Sequence, residues 1–138
     1  MYKRQEKRGY SPIHRAAYHG HTEIVKILDP LPDNPNNALN GYGSSPIFWA
    51  ARNGHTEIVK ILAPLTDNPN APNQYGSTPI LWAARNGHAE IVKILVPLTE
   101  NPNAANKWGA TPIAFTHNAE IRKILAPFSS WQSSCQII

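Results

Sequence analysis

Few groups in this 138-residue chain could ligate a metal, move a proton or attack a carbon: six histidines, one cysteine and nine carboxylates. Three of the histidines keep step with one another. His21, His55 and His88 each follow a glycine and are evenly spaced along the chain. Imidazoles repeated so evenly suggest either a row of metal ligands or a set of rings bonding backbone groups in equivalent turns. No serine, cysteine or carboxylate stands in a recognisable nucleophile or acid–base setting, so neither catalysis nor a cofactor is expected. The lone cysteine, Cys135, excludes an internal disulfide framework and fits a reducing compartment. It stands fourth from the end in Cys135-Gln136-Ile137-Ile138, an arrangement similar to a prenylation box. Gln136 is not aliphatic and Ile138 is not a usual last residue, so a chance cysteine in a loose tail is the competing reading.

Aromatic residues also recur. Tyr42, Tyr75 and Trp108 follow one another at the same interval as the histidines, and Tyr10 lies near the matching place of an earlier copy. Exposed Tyr and Trp close to Arg are enriched where proteins grip one another. The other reading is that each ring folds down on a neighbouring turn as packing. Trp49 and Trp82 fall among apolar positions and are read as packing.

What positions these groups is a repeated stretch. Ser45-Pro46-Ile47-Phe48-Trp49-Ala50-Ala51-Arg52-Asn53-Gly54-His55 returns as Thr78-Pro79-Ile80-Leu81-Trp82-Ala83-Ala84-Arg85-Asn86-Gly87-His88. An earlier copy opens at Ser11-Pro12 and a damaged one at Thr111-Pro112. Pro12, Pro46, Pro79 and Pro112 thus recur about every 33 residues, and a fixed period of this length marks a stacked array. Ser45 or Thr78 can cap a helix through its hydroxyl, with proline at the first helical position. Ile47, Ala50 and Ala51 share one helix face, and the small alanines let a neighbouring helix approach. Gly54 and Gly87 suit a left-handed stop. A second helix carries Ile58, Val59, Ile61 and Leu62 inward, and Pro64 and Pro97 end it. Neither helix reaches the roughly 12 residues at which an isolated helix becomes marginal in water, so stacking must supply the stability.

This unit resembles the ankyrin repeat, with its Thr-Pro-Leu-His-x-Ala-Ala stretch, Gly-His turn and Ile-Val-x-x-Leu helix, over roughly residues 6–128. The resemblance implies an all-α solenoid of four helix-turn-helix repeats with β-turn fingers, the last repeat truncated. Its repeats would cover about 9–42, 43–75, 76–108 and 109–128, between a basic cap segment at 1–8 and a flexible tail at 129–138. The fourth copy lacks three residues of its first helix and has Arg122 where Val25, Val59 and Val92 stand, as suits a terminal repeat. In such a stack successive repeats are about a helix diameter, roughly 10 Å, apart, whereas zinc ligands lie about 2 Å from the metal, so the histidines cannot share an ion. His14 matches the family's histidine and is expected to bond back towards Ser11; Phe48, Leu81 and Ala114 at the matching sites cannot.

The resemblance also implies a concave binding face of fingertips and first-helix ends. Position by position, the matching partner-binding residues are Lys7, Arg8 and Tyr10; Tyr18 and His19; Tyr42 and Ser44; Arg52 and Asn53; Gln74, Tyr75 and Ser77; Arg85 and Asn86; and Lys107 and Trp108. The expected function is a non-catalytic, monomeric protein-interaction module that binds another protein or peptide, with no small-molecule substrate and no metal. The alternative is a structural adaptor tethered to a membrane by a lipid on Cys135, where one lipid would anchor only weakly. A net charge of +4 is too mild to favour nucleic acid. Residues 1–8 have no apolar run of a secretory signal, and no stretch approaches 18 consecutive apolar residues, so an intracellular location, cytoplasmic with the nucleus open, is expected.

Overall fold

A computed structural model describes residues 12–28 and 43–137, with side chains as far as Phe128. The described residues form eight α-helices: α1 Pro12–His19, α2 Thr22–Leu28, α3 Pro46–Asn53, α4 Thr56–Leu62, α5 Pro79–Arg85, α6 Ala89–Leu95, α7 Pro112–Phe115 and α8 Ala119–Ile137. They pair as four hairpins. The first helices, α1, α3, α5 and α7, pack one on the next as a layer, and α2, α4, α6 and α8 form a second layer behind them. The expected cap at 1–8, and with it Lys7, Arg8, Tyr10, Ser11 and Tyr42, lies outside the described residues.

The core follows the repeated pattern. Ile47, Ala50 and Ala51 have no exposed surface, nor do Ile80, Ala83 and Ala84, and Ile13, Ala16 and Ala17 are nearly as deep. On the second helices Ile58, Val59 and Leu62 are fully buried, as are Ile91, Val92 and Leu95, while Ile61 and Ile94 are half-buried against them. Each such isoleucine or leucine contributes about 1.5–3 kcal/mol by leaving water. No hairpin closes this surface alone; the core is one cluster running from Ile13 to Leu125 through every hairpin.

The loops between hairpins cap the next helix. Asn70 and Asn103, each nearly buried, accept the backbone N–H of Ile80 and Ile113 at 2.9 Å with their Oδ1 atoms. Thr78 Oγ1 accepts from Leu81 N at 3.1 Å, and Thr111 Oγ1 from Ala114 N at 3.3 Å. Two of the N–H groups that a helix start leaves unpaired are thereby satisfied, and proline at the first position has none to lose. Ser45 differs from the expectation: it occupies the N-cap, yet its hydroxyl makes no capping bond.

Pro64 and Pro97 do not simply end their helices. The α-helical pattern stops at Leu62 and Leu95, and each proline sits inside a short 3₁₀ turn, Ala63–Leu65 or Val96–Leu98. Their counterpart Pro127 lies within α8, whose backbone stays helical to Ile137 where a flexible tail was expected from 129. The inner copies follow this proline with Asp67-Asn68-Pro69 or Glu100-Asn101-Pro102, which turn the chain; the fourth follows it with Ser129-Ser130-Trp131. Interior proline kinks or breaks a helix; after Pro127 no glycine, asparagine or second proline follows, and the backbone stays helical.

The fourth hairpin is short, as its missing residues require. α7 has a single turn, then Thr116 extends the backbone and is fully buried. Asn118 Oδ1 accepts from Ile121 N at 3.0 Å and so caps α8 in place of the absent Gly-His turn. Arg122 is exposed and donates to the Thr116 carbonyl at 3.2 Å. Lys93 Nζ reaches Glu120 Oε2 at 2.6 Å, tying α6 to α8.

Candidate functional site

The periodic histidines are joints between hairpins. A helix leaves its last carbonyls unpaired, and those of α1 and α3 are taken up by the next hairpin. The Tyr18 carbonyl accepts from Asn53 Nδ2 at 2.9 Å and lies 3.0 Å from His55 Nε2. One repeat on, the Arg52 carbonyl accepts from Asn86 Nδ2 at 2.9 Å and lies 3.2 Å from His88 Nε2. Each bonding nitrogen must carry a proton to face a carbonyl, which fixes the neutral tautomer. The rings lie flat against the preceding turn glycines, Gly20 and Gly54, which hold φ of 79° and 82°. Burial holds the His88 imidazole below its ordinary value; the Arg52 carbonyl pulls the other way and His55 adds a smaller push down. Thus the ring does bond backbone, but across the repeat boundary and not within its own turn. His14 likewise reaches forward: its Nε2 lies 3.0 Å from the Ser44 carbonyl. A bond to Ser11 lies outside the described residues.

The fingers are tight turns built by asparagine. Asn73 Oδ1 accepts from Tyr75 N and Ser77 N, while Gly76 N donates to the Asn73 carbonyl. Asn106 repeats this with Trp108 N, Ala110 N and Gly109 N. Lys107 N donates to the Tyr75 carbonyl, so one finger leans on the next. The Tyr75 and Trp108 rings stack, 5.7 Å between centres and 26° apart in plane. Tyr75 is half-buried by this; Trp108 remains 72% exposed. Tyr75 thus packs on the next finger, and Trp108 keeps most of its ring open.

Beside the fingers, the first helices present a ladder of aromatic and guanidinium planes. The Arg52 guanidinium carbon lies 5.5 Å from the Trp49 ring centre and 5.4 Å from that of Trp82. Arg85 lies 5.3 Å from Trp82 and 5.1 Å from Phe115. Tyr18 extends the row at 5.4 Å from Trp49. Two steps of a helix turn the side chain by about 200°, so Trp49 points away from the face that buries Ile47. Trp49 and Trp82 are consequently half-buried: they pack against neighbouring rings, as expected, but outside the hydrophobic core cluster. A hollow of about 400 Å³ opens between the helices and the fingers, lined by Phe48, Trp49, Arg52 and Trp82 of the helices and Asn73 and Tyr75 of a finger.

Of the residues expected at a binding face, Tyr18, Arg52 and Arg85 meet in this ladder, and Gln74, Tyr75, Lys107 and Trp108 meet on the fingers. His19 packs its ring against Tyr18, centres 4.9 Å apart. Asn53 and Asn86 are engaged in the joints. Trp49, Trp82 and Phe115 were missed as site residues, although the i, i+3 spacing of Trp49 with Arg52 and of Trp82 with Arg85 places each pair on one helix face. Cys135 lies in the backbone of α8, and its side chain is outside the described residues. No helix among the described residues is long and apolar enough to cross a membrane.

Stacked helical hairpins with turn-built fingers along one side define a helical repeat module. A family model described as ankyrin repeats (three copies) matches residues 2–73 and 63–130, and the chain belongs to the ankyrin-repeat family. Ankyrin repeats in general mediate protein–protein interaction and are typically not enzymes. No curated protein matches the chain.

Proposed function

We propose that this chain is a protein-binding module whose receptor surface is the face formed by the first helices and the fingers, and that it acts without catalysis. The observation that supports this is the hollow lined by Tyr75, Arg52 and the half-buried Trp49 and Trp82. Aromatic and arginine side chains of this kind, already ordered by stacking, lose little freedom when a partner covers them. Large rings kept half in water gain nothing for folding from the exposed half. A partner that buries them completes the desolvation.

The experiment is a comparison of two faces. Partner captured by the immobilised chain is quantified for Trp49→Ala with Trp82→Ala, and for Lys60→Ala with Lys26→Ala on the second helices. Capture lost only with the tryptophan pair, at an unchanged far-UV helical signal, supports the reading. Capture lost only with the lysine pair places the receptor surface on the other side.

A further inference from the structure

The geometry points to an acidic, extended peptide segment as the ligand of the concave face, with carboxylates about three residues apart seated on Arg52 and Arg85 and apolar side chains between them in the hollow. This rests on the concave-face reading and names the chemistry of its partner.

Charge is sorted between the two layers. Among the described residues, the carboxylates Glu23, Glu57, Glu90 and Glu120 all belong to second helices, and Asp67 and Glu100 to the loops that follow them. The first helices and fingers carry Arg15, Arg52, Arg85 and Lys107 and no carboxylate. The ion pairs among those residues join Lys26 with Glu23, Lys60 with Glu57 and Lys93 with Glu120, so neither arginine of the ladder is neutralised. Among the described residues the second-helix layer therefore pairs its charges internally, and the first helices and fingers carry cations without carboxylates. Such a surface attracts anionic partners and repels cationic ones.

The state of the arginines says which anion. A guanidinium held beside a ring by cation–π attraction makes no hydrogen bond to it and keeps its N–H donors, whose fork matches a carboxylate bidentately. Arg52 uses one donor, Nη1, on Asn53 Oδ1 at 3.2 Å, out of five. Nucleobases want bare rings to stack on. Trp82 instead has a guanidinium from its own repeat 5.3 Å from its ring centre and another from the preceding repeat at 5.4 Å, so a base would compete with two cations for that ring. Around the two arginines this favours carboxylates over bases, while the open Trp108 ring makes a single-stranded nucleic acid the necessary control.

Spacing adds a register. Both guanidinium carbons stack on the same Trp82 ring, at 5.4 and 5.3 Å from its centre, so they are no farther apart than those two radii laid end to end. A polyproline II segment advances about 3.1 Å per residue with three residues per turn, which returns side chains i and i+3 to one side at an interval within that limit. The residues between the two carboxylates then face the tryptophans.

The test uses the full chain and a dye-labelled blocked peptide, Glu-Leu-Pro-Glu-Leu-Pro-Glu, followed by fluorescence anisotropy at low salt, with tryptophan emission as a second readout. The glutamine version of the peptide should bind at least tenfold more weakly, and Arg52→Gln with Arg85→Gln should weaken the glutamate peptide at least tenfold. Arg52→Lys with Arg85→Lys, which keeps the charge and removes the fork, should recover only part of the loss. Equal binding of both peptides to the unaltered chain overturns the proposal without depending on any variant's folding. So does a thymidylate 12-mer that binds more tightly than the glutamate peptide. If the peptide fails while the Trp49→Ala, Trp82→Ala pair still abolishes partner capture, the acidic ligand is wrong and the binding face stands. If that pair leaves capture intact, the face itself is wrong.

Discussion

The ring of His88 covers Gly54 so closely that a β-carbon on the glycine would lie 2.6 Å from His88 Cε1. Gly87 holds nearly the same backbone, φ of 79° against 82°, yet a β-carbon there would meet nothing within 4 Å, because the fourth hairpin lacks the Gly-His turn and its His117 does not lie over the glycine. The same residue type in the same conformation thus does two jobs in one copy and one job in the next.

Replacing these glycines separates the jobs. Gly87→Ala should cost about 1–2 kcal/mol, the strain of a left-handed alanine. Gly54→Ala adds a collision with a ring that is bonded to the Arg52 carbonyl, and should cost clearly more. Urea unfolding followed by circular dichroism measures both, and equal losses would show that the His88 ring moves aside freely.

Asn70 offers a second test. Its Oδ1 is the acceptor for the buried Ile80 N–H. Asn70→Ala leaves that donor without a partner and should cost about 1–3 kcal/mol. Asn70→Asp keeps an acceptor at the start of a helix and should recover most of the loss. A melting temperature unchanged by the alanine would mean that the loop contributes reach and no capping.

Stability should also depend on pH through His88. Its folded pKa lies below the unfolded value of 6.5, chiefly because burial disfavours the charged ring. The unfolded chain therefore binds the proton more readily, and stability from this group is complete above the unfolded value and is lost as pH falls through the lower folded one. Urea midpoints measured from neutral into mildly acidic buffer should decline, and His88→Gln should flatten the decline while keeping an N–H for the Arg52 carbonyl. A slope identical in that variant would assign the effect to other groups.

The fingers bear on recognition. Tyr75→Ala with Trp108→Ala removes the stacked pair without touching the core, so the helical signal should persist while partner capture disappears. Capture that survives both changes would move the binding surface off the fingers and onto the helices.

The repeat and most of its core could be read without coordinates. The reason is that an array needs only neighbour contacts: the i, i+3, i+4 spacing of Ile47, Ala50 and Ala51 states which face is buried, and recurrence at a fixed period states against what. The turn at Asn73 is legible for a similar cause, since asparagine and glycine serve the local backbone close by in the chain. Pro64 and Pro97 read as plain stops, yet each sits inside a 3₁₀ turn, because a proline's effect depends on the chain that follows it.

What joins one hairpin to the next emerged only in three dimensions. Nothing in the order of residues says that His55 reaches the carbonyl of Tyr18, 37 positions back, or that Arg52 rests between the rings of Trp49 and Trp82. Periodicity orients a side chain about its own helix axis, but the distance between two such side chains is set by how closely the alanines let their helices approach. Residue order was enough to specify the repeated unit and its buried face. The stacking distance is what makes two tryptophans and two arginines a surface and not four separate residues.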